Sequence, residues 1–295
     1  MSFAPEISVI VPTGRVVHRV RPTMESCLAQ QFDGDFEVLV CVNPPSETHA
    51  NWVASLDPPA GCTVRYLPCE ERSANAARNV GLEEARGRIV HFLDDDCLFS
   101  DPRHLERVRE LHDTHPEILG FGGPYASPDS APYSTVFYNA YTEAWLLRNQ
   151  TADDGALVLL GGNASYKREL GGDDLWFDGA LAYGGTETEF NHRLVSRGHR
   201  LKLVDQLAVV HDFREGFRRL ARRAWKQGAG RRRNPFETEV QALRTAYPIA
   251  PKVNRPLPQW GFTLFVALYY ALVRMGSVLG RANVSTASAP VPQRR

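Results

Sequence analysis

Short apolar runs alternate with mixed segments along the first third of the chain. Ile7–Val11 is apolar apart from Ser8 and is stopped by Pro12 and Gly14, the pattern of a strand buried in a parallel sheet. A helical pattern over Thr23–Gln31 follows, then a second strand over Phe36–Val42, broken by Asn43-Pro44-Pro45. The pattern continues with a helix over Ser46–Leu56, a strand over Thr63–Leu67 and a helix over Ser73–Arg86 closed by Gly87. A fourth strand, Arg88–Leu93, runs straight into Asp94-Asp95-Asp96. This alternation predicts an α/β fold, with a mainly parallel central sheet flanked by helices.

The second half is less regular. Helices are predicted over Leu105–His115 and Thr186–Gly198, the latter with Glu189, Arg193 and Arg197 at i, i+4, i+8. Strands are predicted over Leu157–Tyr166, Leu201–Val204 and Ala208–Val210, the last ending at His211. Phe217, Leu220, Ala221, Ala224 and Trp225 then fall on one face of an amphipathic helix. Gln259–Val273 is apolar nearly all round. Arg274 ends it after about 14 residues, short of the ~20 that span a bilayer.

Composition changes this picture little. The 295 residues are 43% hydrophobic and 23% charged, ordinary values that exclude disordered, collagen-like and disulfide-scaffold classes. Five cysteines show no CxxC pair, the start lacks the features of a signal peptide, and a reduced, cytoplasmic chain is expected. The formal charge is zero, 34 basic against 34 acidic residues, which speaks against nucleic acid as a partner. The balance is local, however. Between Arg214 and Arg233 nine basic residues face one acid, Glu215.

Ligands of open α/β sheets bind at the carboxyl ends of the strands. Pro12-Thr13, Asn43 and Asp94-Asp95-Asp96 all fall on that rim. Three adjacent carboxylates repel one another unless a cation neutralises them. Oxygen ligands of this kind suit Mg²⁺ or Mn²⁺, which bridge carboxylates to substrate phosphates. No GxGxxG and no GxxxxGK[ST] is present, so the dinucleotide and P-loop cofactors have no support.

Several of these segments together resemble family 2 glycosyltransferases of the GT-A fold. They are ISVIVPT at 7–13, Ala77-Arg78-Asn79-Val80-Gly81, Phe92-Leu93-Asp94-Asp95-Asp96, GGNASY at 161–166, and GGTETEF at 184–190. Arg193-Leu194, Gly198 and His211 follow at the family's spacing, so the resemblance spans roughly residues 6–233. It implies sugar transfer from a nucleotide-diphosphate-sugar, expected to be a UDP-sugar, to an acceptor hydroxyl with inversion, supported by Mn²⁺ or Mg²⁺. Carried over, Asp94 and Asp96 are the outer residues of the DxD motif, with Asp96 and His211 on the metal. Pro12, Thr13, Arg15, Asn43, Arg78, Asp94 and Asp95 would hold the nucleotide-sugar. Gly162, Asn163 and Glu189 would lie on the acceptor side. The general base is Glu187 or Glu189. Register with Arg193-Leu194 selects Glu187, leaving Glu189 an i,i+4 partner for Arg193 as its plainer reading. Two positions depart from the family: Thr186 stands where an acid is usual, and Asn43 where an aspartate usually meets the base.

The expected organisation is a donor half over residues 1–105 and an acceptor half over 106–213 of one GT-A domain. A basic helical segment over 214–255, an apolar helix over 256–281 and a flexible tail over 282–295 follow. Residues 120–156, rich in Tyr, Pro, Ser and Asp, are read as acceptor-side loops, with the acceptor itself unassigned. The segments 214–233 and 256–281 suit contact with an anionic membrane surface at its inner face, and the apolar helix equally suits a homodimer. Two other functions fit an acidic rim: a nucleotidyltransferase, and a non-catalytic sugar-nucleotide or lipid-binding module. The first would carry a glycine-rich loop where this chain has Pro12–His18 with one glycine. The second would lack the rim acids.

Overall fold

The computed structural model describes residues 4–181, 185–231, 234–244 and 259–279. Gly184 of the glycine pair, Arg232, Arg233 and the tail over 282–295 lie outside them.

Four strands open the chain: β1 Ile7–Thr13, β2 Phe36–Val42, β3 Cys62–Pro68 and β4 Ile89–Leu93. The helices between them are α1 Val17–Leu28, α2 Glu47–Ala54 and α3 Ala74–Glu84. Then come β5 Cys97–Leu98, α4 His104–Thr114, β6 Ile118–Gly122, β7 Tyr125–Ala126 and α5 Tyr133–Arg148. They are followed by β8 Asn163–Lys167, α6 Arg168–Gly171, α7 Thr186–Ser196, β9 Arg200–Leu203 and β10 Val209–His211. The last helices are α8 Phe217–Arg231, α9 Glu237–Gln241 and α10 Gln259–Leu279.

Seven strands form the central sheet in the order β3-β2-β1-β4-β8-β6-β9, parallel except for β8. Both faces are covered, so β1 and β2 are buried throughout. Alternation sorts their side chains. Ile7, Val9 and Val11 pack toward Val20 and Met24 of α1 and Leu105 and Val108 of α4. Ile10 and Phe92 pack toward Ala77 of α3 and Phe190 and Leu194 of α7. The five cysteines are free and buried.

A second, three-stranded sheet, β5-β10-β7, stands at the carboxyl end of β4. Its β10–β5 pairing is antiparallel and sets His211 opposite Cys97. The neighbouring backbone bond, Asp212 N–H to Asp96 O at 2.8 Å, ties the end of β10 to the acidic triplet.

The helices α5, α8 and α10 share a separate core of Phe137, Tyr138, Tyr141, Leu220, Ala224, Phe265, Tyr269 and Val273. Two glycines let α8 and α10 touch. A Cβ on Gly228 would meet Val273 O at 1.9 Å, and one on Gly276 would meet Trp225 O at 2.1 Å.

The structure departs from the sequence reading in four places. Helix α1 begins at Val17, and Pro22 stands inside it, giving up one backbone hydrogen bond while Val20, Thr23, Met24 and Cys27 are buried. The predicted strand over Leu157–Tyr166 is a strand only from Asn163. Its first part turns at Gly161-Gly162, where Asn163 N–H reaches Leu160 O at 3.0 Å. The predicted loops over 120–156 contain α5, a 16-residue helix with both its polar and apolar positions buried. Helix α10 runs on through Arg274 to Leu279, 21 residues in all, long and apolar enough to cross a membrane.

Candidate active site

A cleft of about 370 Å³ opens at the carboxyl ends of β1, β2 and β4. Of the residues expected at the site, Pro12, Thr13, Arg15, Asn43, Arg78, Asp94, Asp95, Asp96, Glu187 and His211 line it. The remaining three do not. Asn163 is buried, and its amide donates to Gly123 O and Leu207 O at 3.1 and 2.6 Å. Glu189 is buried and accepts from Arg193 Nε at 2.8 Å, the i,i+4 pairing, with that guanidinium also donating to Asp174 O and Trp176 O. Gly162 serves through its backbone. Its carbonyl accepts from Asp94 N–H at 3.3 Å, and a Cβ there would meet Asp94 Oδ2 and the Tyr125 hydroxyl, both at 2.6 Å.

The acidic triplet is held by four partners, Arg78, Thr13, Arg15 and His211. Asp94 Oδ1 accepts from Arg78 Nη2 at 2.7 Å. Asp95 accepts from Thr13 Oγ1 at 2.6 Å and pairs with Arg15 Nε at 3.2 Å. Asp96 meets Arg15 Nη2 at 2.6 Å and His211 Nε2 at 3.5 Å. Burial, with the negative charge of Asp96 beside it, pushes the Asp95 carboxyl up to about 7. Burial acts on Asp96 in the same direction, but His211 and Arg15 outweigh it and hold that carboxyl well below the usual range. The adjacent acids are thus driven apart, and Asp96 is the one kept ionised.

Asn43 donates to Ser73 O at 2.6 Å, and the Ser73 hydroxyl in turn caps α3 by accepting from Ala76 N–H. Arg78 on that helix is 4% exposed, stacks over the Phe177 ring and faces both Asp94 and Glu187. Glu187 lies in the first turn of α7, which Gly185 enters with φ of 77°. A carboxylate there is favoured by the helix N-terminus. It approaches Arg78 because Gly161 has no side chain: a Cβ would stand 2.6 Å from Glu187 Cγ and 3.2 Å from an Arg78 guanidinium nitrogen.

Of the opposite wall, sequence reasoning singled out only the basic segment that carries Arg223 and missed α5. Tyr138, Tyr141, Thr142 and Trp145 of α5 and Arg223 and Gln227 of α8 line that wall. The Arg223 guanidinium stacks 4.9 Å from the Tyr138 ring centroid and 4.7 Å from that of Phe213. The i, i+3, i+4, i+7 spacing of the α5 residues was available as a signal, but from Ser134 to Glu143 α5 is buried all round and shows no polar face to frame it.

The donor set fits a hard divalent cation. Asp96 and His211 present an oxygen and a nitrogen to one point, and Cys97 is the third group within reach. A hard cation prefers the oxygen and imidazole ligands to the soft sulfur of Cys97, whose thiol burial and the neighbouring carboxylates push up.

Residues 8–171 match the model of the family described as glycosyl transferase family 2. Glycosyltransferase AglE of Haloferax volcanii is 22% identical over 231 residues, 78% of this chain and 74% of that protein. The uncharacterized glycosyltransferase EpsJ of Bacillus subtilis is 26% identical over 132 residues, 44% of this chain and 37% of its own length. Among solved structures, the mannosyltransferase PcManGT of Pyrobaculum calidifontis in complex with GDP-Man and Mn²⁺ superposes with a TM-score of 0.58 at 17% identity. That match covers 98% of this chain and 77% of the other. S. aureus TarS in complex with UDP-GlcNAc gives 0.58 at 17% identity, covering 94% and 74%. The fold is that of the GT-A glycosyltransferases.

Proposed function

Because the chain belongs to glycosyl transferase family 2, we propose that it moves a sugar from a UDP-sugar to an acceptor hydroxyl with inversion, using Mn²⁺ or Mg²⁺. In this reading residues 1–105 carry the donor and residues 106–213 the acceptor. The observation that carries it is the meeting, in one cleft, of Asp94–Asp96, His211 and Glu187, brought by β4, β10 and α7. Asp96 and His211 would hold the cation, which supplies charge neutralisation on the departing diphosphate when bound. Thr13 and Asn43 border the nucleoside end. Arg78 keeps the Asp94 carboxylate turned toward the donor sugar. Arg223, packed against the Tyr138 and Phe213 rings, adds positive charge on the diphosphate side. Glu187 takes the proton of the acceptor hydroxyl as that oxygen attacks the anomeric carbon from the face opposite the leaving group. A single displacement needs one carboxylate base and no covalent sugar intermediate, and the pairing of Glu189 with Arg193 leaves Glu187 for that role.

The nucleotide is the part of this reading most open to choice, because the two structural neighbours hold GDP-Man and UDP-GlcNAc. A thermal-shift panel of UDP-, GDP- and dTDP-sugars with Mn²⁺, Mg²⁺ or chelator tests it, since a bound donor stabilises by mass action. Stabilisation by UDP-sugars that chelator abolishes supports the reading. Stabilisation by GDP- or dTDP-sugars alone replaces the donor. Donor stabilisation insensitive to chelator removes the metal.

The pair α8–α10 supports a second statement, that the chain docks on an anionic membrane surface facing the cytoplasm. Trp260, Leu264, Leu268, Met275, Val278 and Leu279 are exposed along one side of α10, and Arg218, Arg219, Arg222 and Lys226 are exposed on α8. An apolar stripe beside a basic one matches a headgroup boundary better than water.

A further inference from the structure

His211 is held on three sides. Its ring lies between Tyr125, at 4.3 Å between centroids, and Phe213, at 5.4 Å, which fix the plane of the imidazole. Two flanking rings do not decide which nitrogen carries the proton. That decision falls to Asn139 of α5, a residue 2% exposed. The Asn139 amide nitrogen lies 3.2 Å from His211 O, 3.4 Å from Ala126 O and 3.0 Å from Ser127 Oγ. Two carbonyl oxygens accept only from a donor, so this atom is the NH₂ and the amide cannot be turned over. The Asn139 oxygen therefore faces His211 Nδ1, at 2.7 Å, and it accepts the Nδ1–H. The neutral ring is then left with a lone pair on Nε2, the atom 3.5 Å from Asp96 Oδ1.

We propose that Asn139 is a positioning residue that fixes the Nδ1–H tautomer and the direction of His211, so that Nε2 and Asp96 Oδ1 converge as ligands on one divalent cation. The inference rests on the metal reading above. Both ends of the Asn139 amide act on the same histidine, one on its ring and one on its backbone carbonyl, so ring and strand end are locked together. Partners of this kind around a metal-bound imidazole are worth about 10–100-fold in metal affinity.

The experiment has two arms on the full chain. Nitrogen-15 ring spectra at mildly alkaline pH without metal, with the His211 signals assigned by their loss in His211→Gln, report the tautomer. A pyridine-type Nε2 with Nδ1–H is expected, and an Nε2–H tautomer overturns the proposal without any variant of Asn139. Titration with Mn²⁺ alone, followed by electron paramagnetic resonance, compares the unmodified chain with His211→Ala, Asn139→Leu and Ser165→Ala. The last breaks a buried bond to His112, 2.9 Å long and outside the cleft lining, and controls for loss of a buried hydrogen bond in general. Affinity is expected to fall about tenfold or more in Asn139→Leu and to stay unchanged in Ser165→Ala. Affinity lost in His211→Ala but kept in Asn139→Leu overturns this proposal and leaves the metal reading standing. Affinity kept in His211→Ala overturns both.

Discussion

Arg78 donates to Asp94 across 2.7 Å while only 4% exposed, and the same guanidinium faces Glu187. Burial works against its charge, and the two carboxylates restore it. A buried cation thus stands between the first acid of the triplet and the proposed base. Gly161 makes this contact sterically possible. Gly161→Ala is expected to push Glu187 and Arg78 apart and lower transfer about 100-fold, since a misplacement near 1 Å costs about that much. Unchanged turnover in a folded Gly161→Ala protein removes this contact from the mechanism.

Glu187→Gln keeps the shape of the side chain and removes its basicity. Turnover is expected to drop about 10²–10⁴-fold. The thermal shift produced by donor and Mn²⁺ should persist. If transfer survives at full rate, Glu187 is not the base.

Acid should unfold the protein through its core. His91, His104 and His112 are buried together between β4 and α4, with His91 facing His104, His104 facing Arg107, and His112 facing Lys167, Arg88 and Asp113. Burial, aided by neighbouring positive groups, pulls His104 and His112 down to about 3 from an ordinary 6.5 and holds His91 well below it. Between those values the unfolded chain binds more protons than the folded one, so stability falls as pH falls. Melting temperatures measured from pH 7 to pH 4 should decline, and His104→Leu should make the decline shallower. A flat profile contradicts this account.

The surface of α8 and α10 can be read by flotation. The chain is expected to float with vesicles containing an anionic lipid, less so at high salt, and weakly with neutral vesicles. Leu264→Glu with Leu268→Glu should abolish flotation while leaving the melting temperature close to that of the unmodified chain, because both side chains are more than half exposed. If instead the double variant converts a dimer to a monomer without changing flotation, α10 is a subunit contact.

Gly276→Ala places a methyl group 2.1 Å from Trp225 O, a backbone atom that cannot turn aside. Overpacking of this kind costs about 1–3 kcal/mol, and the loss should appear as a lowered midpoint in urea.

Local pattern made much of the first half of the chain legible. β2 was bounded to the residue, because a buried parallel strand between a polar segment and Asn43-Pro44 has little freedom in its ends. The acids of the triplet stood out for the same reason, following an apolar strand. What stayed hidden depends on pairing between distant segments. The meeting of His211 with Asp96 was legible only through the family resemblance, because it depends on β10 pairing with β5 in one register and nothing near residue 97 announces that partner. Arg15 was expected at the nucleotide-sugar, but its ion pairs with Asp95 and Asp96 join positions far apart in the chain and left no local signal. Helix α5 escaped because hydroxyls, amide and aromatic rings from Ser134 to Glu143 are buried alike, so neither a polar face nor an unbroken apolar run marks it. Its Asn139 was hidden with it.

At Gly228 and Gly276 the main chains of α8 and α10 are in contact, with no side chains between them to act as a bearing. The two helices therefore pack backbone against backbone, and α8 brings Arg223 and Gln227 to the cleft. From the exposed side of α10 the path of contact to the cleft is therefore short: it crosses one glycine-lined seam into α8 and ends at Arg223 and Gln227.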